Sequence, residues 1–188
     1  MNPWMKVLLA TTLLNCLATG GLAGDTITTK EKPTMKIQIT SSAFTEGQPI
    51  PRPHAFEDKD FSPALQWTDI PPAAKSLALI CDDPDAPMGT WVHWVLYDLP
   101  PTTAGLSEGV PKSPKLASGA KQGVNDDKRT GYGGPCPPPG KPHRYFFKLY
   151  ALDGSTGLKP GVTKKELLKA MEGHVLAEGQ LMGTFQRK

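Results

Sequence analysis

Of the 20 prolines in this chain, 17 fall between residues 49 and 142. A proline inside a helix costs about 3 kcal/mol, because it has no N–H to give and its ring strikes the preceding turn. That stretch is half of a 188-residue chain, so helical bundles and coiled coils are excluded. Glycine adds 19 residues without a period of three, which excludes a collagen-like chain. Short strands joined by proline- and glycine-rich turns remain. The fold expected is mainly β, a β-sandwich in one domain.

The strands can be placed by pattern. Residues 35–40 alternate apolar Met35, Ile37 and Ile39 with polar Lys36, Gln38 and Thr40, the period of a half-buried strand. Residues 76–81 form a short apolar run between turn residues, as a buried strand would. Residues 90–99 and 144–152 are dense in β-branched and aromatic side chains, which favour strands. Residues 64–67 are a weaker candidate. One helix is predicted after the prolines. Thr163 and Glu166 have the spacing of a capping box, and Leu167, Leu168, Met171, Val175 and Leu176 follow at helical spacing. Gly179 is placed as its terminator and residues 181–185 as a closing strand.

The N-terminus has a different character. Lys6 precedes an apolar run from Val7 to Ala18, and small residues at 19–24 precede the first acid, Asp25. This is the layout of a secretory signal cleaved after Ala23 or Gly24. The run falls short of the ~20 apolar residues of a membrane span, and no later segment is apolar enough to cross. An uncleaved anchor or a buried N-terminal helix is the alternative. The expected organisation is a signal peptide at 1–23, a linker at 24–34 and one domain at 35–188, in a periplasmic or secreted protein. Cleavage removes Cys16 and leaves Cys81 and Cys136. An oxidising compartment permits a disulfide between them, and two separate thiols are the alternative.

Lys and Arg number 21 against 18 Asp and Glu, a net charge of +3 spread along the chain. No basic stripe suited to nucleic acid results. Chemistry concentrates instead in two clusters. In the first, Asp82, Asp83 and Asp85 sit in a turn stiffened by Pro84 and Pro87. Such a run is usually a solvated turn, yet the prolines fix the backbone and aim Asp83 and Asp85. Strand alternation puts Trp91, His93, Val95 and Tyr97 on one face. The second cluster runs from Gly131 to Tyr145. It is not a phosphate loop: five residues separate Gly134 from Gly140, and Pro142 stands where Ser or Thr is required. Its glycines permit close approach of a ligand, and alternation sends His143 and Tyr145 to one side.

These two clusters together resemble the phosphatidylethanolamine-binding protein family, also called Raf kinase inhibitor-like, and its bacterial branch most. The matching residues are Asp83 to Pro87, Trp91, His93, Gly131 to Gly134, Pro135 to Pro139, and His143, Arg144 and Tyr145. Residues 62–67 and 173–177 also look like family segments, so the resemblance covers roughly residues 35–186. It implies a β-sandwich with a C-terminal helix and a small pocket for phosphate-like or carboxylate anions. The implied lining is Asp83, Asp85, Trp91, His93, His143 and Tyr145, with backbone from Gly133, Gly134 and Pro135 and support from Arg144 and Tyr132. Imidazole, phenol and backbone N–H donors would hold the anion. The carboxylates would accept the other N–H of each imidazole, or keep it protonated against the opposing effect of burial. Arg144 would pair with one of them. Cys136 interrupts the proline run and alters the rim.

Three functions compete. The first is a non-enzymatic exported binding protein for a small anion such as a phosphoryl head group. The second is inhibition of a protease or other enzyme through a surface patch. The third is catalysis, since Asp83, Asp85, His93 and His143 are metal-site residue types. Neither H-E-x-x-H nor G-x-S-x-G occurs, so no enzyme, metal or cofactor is expected.

Overall fold

The structure, a computed structural model, describes residues 35–188. The expected signal peptide and linker lie outside the described residues. In chain order the strands are β1 (Met35–Lys36), β2 (Gln38–Ser41), β3 (Leu65–Thr68), β4 (Ser76–Asp83), β5 (Trp91–Leu99), β6 (Gly105–Leu106), β7 (Lys121–Gln122), β8 (His143–Leu152) and β9 (Val175–Phe185). Helix α1 (Lys164–Met171) lies between the last two. The strands form a six-stranded sheet, ordered β1-β9-β8-β4-β5-β7, and a three-stranded sheet, β2-β3-β6.

The alternating segment at 35–40 divides between the two sheets. β1 pairs parallel with β9, and β2 pairs antiparallel with β3. Ile37, at the switch, is buried and donates its N–H to the Glu178 carbonyl at 2.8 Å. β4 has all eight residues buried because β5 and β8 flank it and both its faces are covered. Leu77, Leu79 and Cys81 face the layer between the sheets, where Ile39, Leu65 and Trp67 of the smaller sheet meet them. Ala78 and Ile80 face the other way, beneath Leu167 and Met171 of α1. Alternation along one strand thus builds two cores.

The end of the chain corrects the expected helix. The capping box is present: the Glu166 N–H donates to Thr163 Oγ1 and the Thr163 N–H donates to Glu166 Oε2. The helix stops at Met171, and Gly173 has a φ of +78° that other residues rarely adopt. Val175 and Leu176 therefore belong to β9, and Leu168 is exposed. Gly179 does not terminate a helix but lies inside β9. A Cβ there would come within 2.2 Å of the Ile37 carbonyl oxygen, so the glycine admits the crossing chain between β1 and β2.

Candidate functional site

β4 ends in two acids that alternation sends to opposite faces. Asp82 turns to the α1 side, where it accepts from Lys148 Nζ at 2.9 Å and from Lys164 Nζ. Asp83 turns to a cavity of about 260 Å³. Its Oδ1 accepts the Asp85 N–H at 2.8 Å, and its Oδ2 accepts from His143 Nδ1 at 2.7 Å. A carboxylate only accepts, so Nδ1 carries the ring proton. The other nitrogen of His143, Nε2, is left for a ligand.

His93 reaches the same cavity by a break in its strand. Cys81 pairs with Trp94 and Asp82 with Val92, so His93 is the extra residue of a β-bulge. The expected face shared by Trp91, His93, Val95 and Tyr97 is corrected accordingly. Val92, Val95 and Tyr97 pack toward α1, while Trp91 and His93 line the cavity. His93 Nδ1 lies 2.7 Å from the Gly133 carbonyl oxygen, which fixes the proton on that nitrogen. The partner is a backbone carbonyl rather than a carboxylate. Burial pushes the His93 pKa below the ordinary histidine value, against the Gly133 bond and the charges of Asp83, Asp127 and Asp126. The ring is neutral near pH 7, and its Nε2 is an acceptor.

Tyr145 packs edge-on to His93, with ring centroids 5.1 Å apart. It is 1% exposed, and its hydroxyl is the one buried side-chain polar atom among the described residues without a hydrogen-bond partner. Leaving such a group unsatisfied costs about 1–3 kcal/mol. Burial, then the Asp83 charge, push its ionisation far above the usual range, and the Asp83 carboxylate stands near the hydroxyl without meeting hydrogen-bond geometry. The phenol therefore stays protonated and can donate.

The glycine–proline loop supplies shape rather than donors. The Gly133 N–H is spent on the His93 carbonyl at 2.9 Å, and the Gly134 N–H on Asp60 Oδ1 at 2.6 Å. Pro135 has no N–H. The backbone donors expected at 133–135 are thus already used within the fold. Gly134 is required by packing, because a Cβ would meet the His54 carbonyl oxygen at 2.2 Å.

Of the residues singled out from sequence, Asp83, Trp91, His93, Gly134, His143 and Tyr145 line the cavity. Asp85, Gly133 and Pro135 do not. Asp85 is held at the rim by Arg144, through Nε at 2.9 Å, Nη2 at 2.7 Å and the backbone N–H at 2.9 Å. The Arg144 hydrogen bonds hold its carboxyl down at about 2. Tyr132 stands behind the site, donating its hydroxyl to the His54 carbonyl at 3.0 Å. Phe56 and Asp127 also line the cavity and were not anticipated. No spacing in the sequence marks Phe56. The acidic pair Asp126–Asp127, just before the second cluster, was a signal that could have been used for Asp127.

Cys136 is exposed on the cavity rim, Cys81 is buried, and neither is in a disulfide among the described residues. Among the described residues no group of three or more His, Cys, Asp or Glu is placed to hold a metal ion. No helix among them is long and apolar enough to cross a membrane.

The phosphatidylethanolamine-binding protein family profile matches residues 40–186. The UPF0098 protein of Methanothermobacter thermautotrophicus is 49% identical over 151 residues, covering 80% of this chain and 99% of its own length. The UPF0098 protein of Aquifex aeolicus is 48% identical, covering 80% of this chain and 89% of its own. The crystal structure of a phosphatidylethanolamine-binding protein homologue from Chlamydia trachomatis superposes with a TM-score of 0.75 at 42% identity, over 82% of this chain and 100% of that one. An Escherichia coli structure described as a new member of the mammalian family gives 0.76 at 31% identity, over 81% and 99%. With its mainly β two-sheet fold and its short helix, this chain belongs to the phosphatidylethanolamine-binding protein family.

Proposed function

We propose that this protein is an exported, non-enzymatic binding protein whose cavity takes a small oxyanion, a phosphoryl head group foremost. The observation that carries this is the Tyr145 hydroxyl, buried without a partner in a cavity shared by two histidines. Native folds rarely leave such a donor unused, and an anion oxygen would satisfy it. His143 adds a second donor when both its nitrogens are protonated, with Asp83 balancing the charge. The His143–Asp83 bond also fixes the ring orientation. Apolar Phe56, Trp91 and the prolines make the site partly dry, which strengthens each polar contact. The family name supports a phosphoryl ligand. The signal-like residues 1–23 support export, and residue Asp25 or Gly24 as the first of the native soluble protein would be seen by mass spectrometry.

The binding test is a crystal soaked in inorganic phosphate. Density is expected in the cavity within about 3 Å of Tyr145 Oη, the ordinary hydrogen-bond range. A cavity holding only water at saturating phosphate would overturn the proposal.

A further inference from the structure

The cavity is built unlike a site for a fully ionised anion. Among the described residues no lysine or arginine lines it, while two carboxylates, Asp83 and Asp127, do. Arg144 is bound to Asp85, and Arg129 faces Asp127 at 3.5 Å and lies 4.6 Å over the Phe56 ring. The polar groups turned to a ligand are also of mixed sense. Tyr145 donates. His143 Nε2 donates only as the imidazolium, because Nδ1 is committed to Asp83. His93 cannot donate from Nδ1, which is committed to Gly133. Its Nε2 is a bare lone pair.

A lone pair aimed at an oxyanion repels it unless the oxyanion carries a proton there. We infer that the site selects monoprotonated oxyacids, phosphate monoesters as their monoanions, with the ligand's own P–OH donating to His93 Nε2. This rests on the anion-pocket proposal and narrows it. Phosphodiesters, sulfate esters and carboxylates, which carry no proton near neutrality, are disfavoured by the same atom that favours the phosphate monoester, so the head group would bind as the free monoester. The groups facing His93 agree with this. Asp83 comes from β4, Tyr145 from β8, and Asp126, Asp127 and the Gly133 carbonyl from residues 125–133. His143 on β8 shares the cavity and supplies one positive charge at most; the others are acceptors or neutral, so the second charge a dianion would need is missing. Burial reinforces the assignment by keeping His93 neutral.

The test is calorimetric titration of the exported chain with methyl phosphate and with methyl sulfate from pH 5 to pH 8. A phosphate monoester loses its second proton near pH 6. Methyl phosphate affinity should fall about tenfold per pH unit well above that value, as the monoanion fraction does. Methyl sulfate should bind at least about tenfold more weakly at pH 6, the effect of one hydrogen bond to a charged partner. The sulfate is a control for His143, whose charge acts on both ligands alike. Equal affinity for the two esters, or identical pH slopes, would overturn the inference and leave an anion pocket standing. Binding of neither would overturn both. His93→Gln, which can turn an N–H toward the ligand, should narrow the difference between the esters. If that variant does not fold, the wild-type comparison decides alone.

Discussion

Asp82 and Asp83 are neighbours on β4, exposed by 1% and 3%, yet they serve opposite faces of the sheet. Asp82 is surrounded by fixed cations, Lys148 and Lys164, which tie β8 and the first residue of α1 to the sheet centre. Both Asp82 oxygens are taken by these ammonium groups. Asp83 is matched to a histidine and a backbone amide, and the histidine keeps one nitrogen for the cavity. A buried carboxylate closed by permanent charges holds the fold together. One closed by a titratable ring prepares a site. The same split separates Tyr97, whose hydroxyl donates to the Lys159 carbonyl at 2.6 Å on the α1 side, from Tyr145, whose hydroxyl has no partner.

The comparison breaks first if Asp82 can be removed cheaply. Asp82→Ala leaves Lys148 and Lys164 without their shared counter-charge and should cost about 1.5–3 kcal/mol in denaturant unfolding, the weight of a hydrogen bond to a charged group. A loss below about 1 kcal/mol would place Asp82 among ordinary surface pairs.

On the other face the main effect should be on binding. Asp83→Asn keeps the shape but puts an N–H where one of two acceptors stood, facing either the Asp85 amide or His143. With the His143 tautomer released, phosphate affinity should drop about tenfold to a hundredfold, the weight of one charge-assisted hydrogen bond. Titration calorimetry reads this directly. An unchanged affinity would make the Asp83–His143 pair a device of the fold.

Part of this division could be read from the sequence, and the exceptions have physical causes. The capping box at Thr163 and Glu166 already announces α1, whereas Asp82 and Asp83 read as a turn after a strand at 76–81; it is the continuation of β4 to Asp83 that sends them to opposite faces. The placement of His93 was legible only in part. A strict period of two put it with Val95 and Tyr97, and the bulge that frees it depends on register against β4. Nothing local encodes that register. Val175 and Leu176 fit a helical stripe, and only the pairing of β9 with β8 and β1 makes them strand. Gly133 and Gly134 looked like anion donors because their N–H groups are visible in the sequence, whereas Asp60 and the His93 carbonyl, which consume them, come from distant segments.

A smaller effect follows from the His93 pKa, lowered in the folded state by burial. The unfolded chain then binds more protons than the folded one, so stability rises with pH. The stability linked to His93 is full above the unfolded value of about 6.5 and is lost as pH falls below it. Denaturant midpoints at pH 7.5 and pH 5 should therefore differ more for the wild type than for His93→Gln. Equal differences would mean that the His93 pKa is the same folded and unfolded, and that burial does not hold the ring neutral.

Tyr145→Phe tests the division between the two faces most directly. It removes one oxygen that makes no protein hydrogen bond. The fold should be as stable as the wild type or slightly more so, since an unsatisfied buried group costs about 1–3 kcal/mol. Phosphate affinity, titrated on the same sample, should fall by about tenfold or more. A destabilised protein that binds phosphate as before would show the hydroxyl serving the fold, and the cavity would not be the anion site.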